Sequence, residues 1–153
     1  MHDGAAQVWF IAGTIPLIVA GGMHALYTLR DVARPRYFAP ADESVRPAME
    51  ASGLRFRQRV IRGGDLSRPS MWRAWLGFNI SHGLGIFTFA LLCLLIAAQD
   101  FSLVERIHVL RPLAIAFSAI LLAVSLRFWF WGPVLITGAA TLCFSVATFL
   151  SMT

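Results

Sequence analysis

Residues 75–98 read WLGFNISHGLGIFTFALLCLLIAA and contain no Asp, Glu, Lys or Arg. About 20 helical residues cross a hydrocarbon layer of ~30 Å, so this stretch is long enough to span a membrane. Three similar apolar runs cover about 8–29, 107–126 and 128–152. Because a bilayer offers the backbone no hydrogen-bond partners, each run is expected to be a helix. The sequence therefore predicts an all-α fold, an integral membrane four-helix bundle.

The composition supports the same fold class. The 153 residues are 58% hydrophobic and 14% charged, with a mean hydropathy of +0.68. This is more apolar surface than one water-soluble core of that size can bury, so we expect a single membrane domain over residues 1–153 with one long polar loop, 30–74. The two cysteines, Cys93 and Cys143, lie inside apolar runs. Their position excludes a disulfide-stapled secreted fold.

The positive charge of the chain is concentrated in that loop. The sequence has 13 Lys+Arg against 8 Asp+Glu, and every cation is an arginine. A basic flank beside a membrane span indicates attraction to anionic membrane lipids, not nucleic-acid binding. Positively charged loops also stay in the cytoplasm. Ten arginines lie in this stretch: Arg30, Arg34, Arg36, Arg46, Arg55, Arg57, Arg59, Arg62, Arg68 and Arg73.

The orientation of the chain follows from this asymmetry. No Lys or Arg precedes the first apolar run, whereas a cleavable signal peptide begins with basic residues. We expect the first run to remain as an anchor with its N-terminus outside. Four crossings then return the C-terminus to the same side, so both termini are predicted to lie outside.

Within the loop, four apolar residues recur at spacings that place them on one side of a helix. This pattern is typical of a basic amphipathic helix lying in the membrane interface. Ser44 is predicted to cap its start, and Gly63 and Gly64 to end it. A solvated basic loop is the alternative interpretation. The four apolar residues are Val45, Met49, Phe56 and Val60.

Small residues recur about every four positions on the second and fourth apolar runs. Such rows let helix backbones approach closely, so we expect them to pack between helices or between copies of the chain in a homo-oligomer. The row on the second run contains Gly77, Ser81 and Gly85, and the row on the fourth contains Thr137, Thr141, Ser145 and Thr148.

A few polar side chains stand out at the cytoplasmic ends of the apolar runs: His24, Asn79, His82 and Arg127. Polar groups are unfavourable in hydrocarbon and often mark functional sites. At 1.5 Å per residue, both histidines lie roughly 8 to 10 Å below the inner interface. Asn79 and His82 share one side of their helix at ~100° per residue, with Trp75 between them. Tyr27 follows His24 by almost one turn, which completes a predicted polar pocket open to the cytoplasm.

Three functions fit this pocket. In the first, it binds or transforms a hydrophobic or lipid-like small molecule. His82 and His24 then act as catalytic proton donors or acceptors, and the ligand contacts are Asn79, Trp75, Tyr27 and Arg127. In the second, the two histidines hold a haem or a metal, although no nearby Asp, Glu or Cys completes a ligand set. In the third, the chain is a non-enzymatic assembly subunit.

Each polar residue of the predicted pocket also has a purely structural interpretation. Either histidine can bond a backbone carbonyl or face headgroups, Asn79 can join two helices, and Arg127 can extend to the interface as a surface cation. The sequence identifies no cofactor.

The segment GFNISHGLG, residues 77–85, resembles a segment of small uncharacterised four-helix bacterial membrane proteins. This resemblance implies a location in the bacterial inner membrane and no particular activity. The architecture also resembles the membrane-associated eicosanoid and glutathione metabolism family (MAPEG), whose members form trimers and bind glutathione between subunits. In that family the second helix carries an Arg, then an Asn, then a Glu. Asn79 matches the Asn, but His82 stands at the Glu position and Trp75 at the Arg position. The resemblance thus adds a glutathione-dependent membrane enzyme as an alternative function.

Overall fold

The computed structural model describes residues 2–53 and 69–152. The described residues form six helices and no strand, with one isolated bridge between Gly53 and Ser70. The helices are α1 (His2–Ala33), α2 (Val45–Ala51), α3 (Met71–Gln99), α4 (Phe101–Arg106), α5 (Leu110–Phe128) and α6 (Trp131–Leu150).

Four of these helices are long and apolar enough to cross a membrane. The candidate spans are Gly4–Ala33, Met71–Gln99, Leu110–Phe128 and Trp131–Leu150. The predicted fold class is confirmed: the chain is an all-α, multi-pass membrane protein.

The helices extend beyond the apolar runs that predict them. α1 begins at His2 and α3 begins at Met71, whereas the apolar runs begin near 8 and 75. Hydropathy marks only the part of a helix that lies in hydrocarbon. The backbone hydrogen bonds of the helix can continue into the polar residues on either side. The turn after α3 also contains a helix that the pattern did not predict, α4. Asp100 caps it, because its carboxylate accepts a hydrogen bond from the Ser102 amide at 3.0 Å.

The polar loop contains a shorter helix than predicted. α2 covers Val45–Ala51, and Ser44 occupies its N-cap position without a side-chain cap. Asp42 organises this turn instead: the Ser44 hydroxyl and amide both donate to its carboxylate, and these bonds hold the pKa of Asp42 below its ordinary value. The helix ends because Ser52 is extended and its carbonyl accepts from the Met71 amide. The remaining predicted residues of this helix lie outside the described residues: Phe56, Val60, Gly63, Gly64 and the arginines at 55, 57, 59 and 62.

The chain divides into two compact units. The first, called here the bundle unit, comprises Met1–Met23 and Gly83–Thr153. The second, called here the turn unit, comprises His24–His82.

Aromatic contacts and glycines at close helix contacts hold the bundle unit together. Phe10 of α1 is fully buried and contacts the Phe144 ring of α6, with 5.1 Å between centroids. A Cβ atom built on Gly13 would lie 2.9 Å from the Phe144 ring, so only glycine fits beside that ring unless it moves. At Gly21 a Cβ atom would lie 2.6 Å from the backbone nitrogen of Phe87. The backbones of α1 and α3 therefore approach each other closely at Gly21, which has no side chain.

The predicted row of small residues on α3 does not pack inside this structure, whereas the row on α6 is partly buried. Gly77, Ser81 and Gly85 are exposed, and no atom of the described residues lies within 4 Å of a Cβ atom built at either glycine. The hydroxyls of the α6 row bond carbonyls of their own helix, as Thr141 does to Thr137 at 2.8 Å. The buried line of α6 shares only Thr137 with the predicted row and continues with Ala140, Phe144 and Ala147. The buried line of α3 shares no residue with its predicted row; it is Trp72, Leu76, Asn79, Gly83, Ala90, Cys93 and Ala97.

Candidate functional site

Three of the polar residues selected from sequence meet in the turn unit. The Nε2 atom of His24, on α1, lies 3.0 Å from Oδ1 of Asn79, on α3. The Asn79 amide nitrogen donates in turn to the carbonyl of Trp75 at 2.8 Å. Asn79 is only 1% exposed, so its amide needs these partners. The predicted proximity of His24 and Asn79 is a feature of the structure.

This chain of hydrogen bonds fixes the tautomer of His24. Because the Asn79 nitrogen is occupied by the Trp75 carbonyl, the Asn79 oxygen faces the imidazole and can only accept. His24 must donate from Nε2. In the neutral ring the other nitrogen, Nδ1, then carries the lone pair. Among residues 2–53 and 69–152, none forms a hydrogen bond to that Nδ1.

His82 completes the cluster through ring contacts. Its ring meets the His24 ring edge to face, with 5.4 Å between centroids. On its own helix it stacks on Phe78 at 5.8 Å with nearly parallel planes. Both imidazoles are part-buried. No hydrogen bond to the His82 ring occurs within residues 2–53 and 69–152.

An aromatic residue from the loop covers His24. The Phe38 ring lies 4.4 Å from the His24 ring, centroid to centroid. The Phe38 carbonyl accepts a hydrogen bond from the indole nitrogen of Trp75 at 2.9 Å. Phe38 is thereby attached to α3 through its backbone while its side chain lies against α1. The cluster consists of two imidazoles and one amide beneath aromatic rings.

Asp31 holds the turn that brings Phe38 to this position. Its carboxylate is fully buried and accepts from the backbone amides of Arg36, Tyr37 and Phe38. Three N–H donors replace the water that a buried carboxylate loses. Asp31 lies seven residues after His24, on the same side of α1, and buried Thr28 lies between them. That spacing, followed by Pro35, is the signal in the sequence that could have selected Asp31.

Trp75 and Tyr27 lie beside the cluster with their side chains already engaged. The Trp75 indole donates to the loop, as described above. The Tyr27 ring stacks on Tyr37 at 4.5 Å between centroids. Both residues hold the turn in place, and their predicted contacts with a ligand stay predictions.

Arg127 belongs to the bundle unit. It lies in the last turn of α5, it is exposed, and its guanidinium carbon lies 5.1 Å from the centroid of the Phe128 ring. This contact is typical of an interfacial arginine whose charge reaches the polar layer. Its predicted contact with an anionic ligand group stays a prediction.

The cluster has the chemistry of proton exchange and hydrogen bonding more than that of metal binding. The described residues contain no group of three or more His, Cys, Asp or Glu side chains that could hold a metal ion. A bis-histidine haem needs the two imidazoles on opposite faces of the macrocycle. Here the two rings contact each other edge to face, so these residues do not fit a haem between them.

A scan of protein-family models finds no match to this chain, and searches of curated proteins and of solved structures find none either. The two resemblances drawn from the sequence stay predictions.

Proposed function

We propose that the chain is an inner-membrane protein of bacteria that binds a hydrophobic or lipid-like molecule at the His24–Asn79–His82 cluster, on the cytoplasmic side. In this proposal the two imidazoles exchange a proton or a hydrogen bond with the polar group of that molecule. The orientation is supported by the arginines of the 30–74 loop, which favour the cytoplasm.

The observation that carries the proposal is the ordered line of contacts from the Trp75 carbonyl through Asn79 to His24. A histidine that acts on a ligand as a general base needs its ring orientation and tautomer fixed by a third group. Asn79 fills that role, and it leaves Nδ1 of His24 as an acceptor.

The surroundings indicate the class of ligand. Phe38 and Phe78 supply apolar ring surface on either side of the imidazole pair. Imidazole titrates near neutral pH and can both donate and accept. The arrangement favours an apolar molecule, flat or chain-like, that carries a hydroxyl or carbonyl group near one end.

The experiment is to purify the full chain in detergent and identify its co-purifying small molecules by mass spectrometry. We expect a hydrophobic compound that is retained by the unsubstituted protein and is lost about tenfold or more in His24→Ala and His82→Ala, because each removes a hydrogen bond in a low-dielectric site. His108→Ala is the matched control, since His108 is exposed in the turn after α4. Equal retention by all variants would contradict the proposal.

One observation favours a second candidate, a membrane assembly subunit. The exposed row formed by Gly77, Ser81 and Gly85 offers a surface on which another helix can approach closely. In the same preparation, this candidate requires Gly77→Leu and Gly85→Leu to lower the oligomeric state, with His82→Ala unchanged. A ligand-binding protein shows the opposite pattern, loss of the compound in His82→Ala without a change of oligomeric state.

A further inference from the structure

The end of α1 and the turn that follows it enclose a cleft with a volume of about 460 Å³. This volume is within the range of about 300–1,000 Å³ that is usual for small-molecule sites. Half of the residues that line it are arginines. The lining residues are Arg30, Ala33, Arg34, Pro35, Arg36 and Tyr37.

The three arginines have no acidic partner in the part of the chain that the structure describes. The ion pairs found there join Arg46 to Glu50 and Arg106 to Asp100. Asp31 lies in the same turn, but three backbone amides occupy its carboxylate. The free carbonyls at a helix C-terminus amount to about half a negative charge, which offsets only a small part of three guanidinium groups.

The backbone that carries these arginines is held in place. The hydrogen bond to Asp31 fixes the amide of Arg36, and the ring of Pro35 fixes the φ angle of that residue. The Arg36 guanidinium carbon lies 5.8 Å from the centroid of the Tyr37 ring, and Tyr37 itself stacks on Tyr27. One wall of the cleft is therefore the last turn of α1, and the other is a turn that a buried carboxylate organises.

We propose that this cleft binds a phosphate group, and that the phosphate belongs to an anionic phospholipid. Guanidinium groups bind phosphate oxygens through two parallel hydrogen bonds, and their charge is permanent. The cleft lies at the end of a candidate membrane span, Gly4–Ala33, which is the depth of lipid headgroups. A free phosphate group presents the same chemistry. The proposal does not depend on the imidazole cluster or on its ligand.

The test uses native mass spectrometry of the full chain in detergent, titrated with phosphatidylglycerol, with diacylglycerol as the lipid that lacks phosphate. The cleft variant is Arg30→Gln with Arg34→Gln. The control variant removes the same charge elsewhere in the loop region, Arg46→Gln with Arg73→Gln; the exposed Arg46 pair at 3.8 Å adds little stability. We expect phosphatidylglycerol to bind the unsubstituted protein and the control variant alike, and to bind the cleft variant about 30-fold more weakly. This factor corresponds to about 1 kcal/mol for each of the two arginines, at roughly a tenfold change in affinity per 1.4 kcal/mol.

A conservative variant distinguishes a specific phosphate site from a positively charged surface. Arg30→Lys with Arg34→Lys keeps the charge but loses bidentate hydrogen bonding, so its affinity for phosphatidylglycerol should lie between those of the control variant and the cleft variant. Competition with inorganic phosphate identifies the source: displacement of the lipid indicates a site that also takes free phosphate, and no displacement indicates a headgroup site. An equal loss in cleft and control variants, or no loss in either, would overturn the proposal, as would diacylglycerol binding that matches phosphatidylglycerol.

Discussion

At the scale of single residues, Asp31 is the most informative side chain in the turn unit. It is a carboxylate with no exposed surface, and its oxygens bind the amides of Arg36, Tyr37 and Phe38. A buried charge is tolerated only where hydrogen bonds replace its water. The position of Phe38 over His24, and with it the cover of the cluster, depends on this carboxylate.

Replacing Asp31 is expected to destabilise the protein. In Asp31→Ala three amides lose a charged acceptor, and a hydrogen bond to a charged group contributes about 1.5–3 kcal/mol, so the free energy of unfolding should fall by about 3 kcal/mol. Asp31→Asn retains one acceptor oxygen and should lose less. Chemical unfolding in detergent, followed by circular dichroism, measures both variants. Asp100→Ala is the control, because the Asp100 cap is exposed; a loss in Asp31→Ala no larger than in that control would refute the role given to the carboxylate.

At the scale of helices, the position of a glycine matters more than its presence. Gly21 and Gly77 look alike in the sequence, yet a Cβ atom at Gly21 would meet the Phe87 backbone and one at Gly77 would meet nothing. Sequence spacing reveals rows of small residues, but the direction in which a row faces depends on neighbouring helices. The spacing of Gly77, Ser81 and Gly85 predicts packing, but in the structure this row is exposed and the buried line of α3 lies on neighbouring positions.

These two glycines provide a matched pair of substitutions. Gly21→Ala places a methyl group 2.6 Å from the Phe87 nitrogen, and the required shift of a backbone should lower the free energy of unfolding by about 1–3 kcal/mol. Gly77→Ala enters open space and should be neutral or stabilising by up to about 1 kcal/mol, since alanine favours a helix. Thermal unfolding in detergent compares the two. Similar losses in both would show that close packing at Gly21 is not what the protein requires.

The cluster illustrates what spacing can and cannot predict. Helical periodicity placed Trp75, Asn79 and His82 on one side of α3, and depth below the interface matched His24 to them. Neither argument could find Phe38, because its place depends on a turn whose geometry comes from Asp31 and the backbone amides. Loop residues far apart in sequence carry no periodic signal.

At the scale of the whole chain, the described residues contain four candidate membrane spans, as expected for an all-α multi-pass membrane protein. Composition and hydropathy were sufficient for this fold class, since a bilayer restricts the backbone to helices or closed barrels. They did not predict α4, which depends on the Asp100 cap, or the start of α1, which lies in a polar flank outside the apolar run.

Orientation can be measured by labelling single cysteines with a membrane-impermeant maleimide. Ser70→Cys lies just before α3, in the arginine-containing connection, and Ser102→Cys lies in α4. In intact spheroplasts we expect Ser102→Cys to react and Ser70→Cys to react only after the membrane is opened. The unsubstituted chain is the control, because Cys93 and Cys143 lie within spans. The reverse pattern would contradict the cytoplasmic placement of the loop.

The hydrogen bond between His24 and Asn79 has a consequence for proton movement. A relay passes a proton through an imidazole by accepting it at one nitrogen and releasing it from the other. At His24 the Nε2 proton points at an amide oxygen, which is far too weak a base to take it away. A proton that arrives at Nδ1 must leave by the route it came. The hydrogen bond to Asn79 therefore makes the His24 ring a dead end for proton conduction from one face of the membrane to the other.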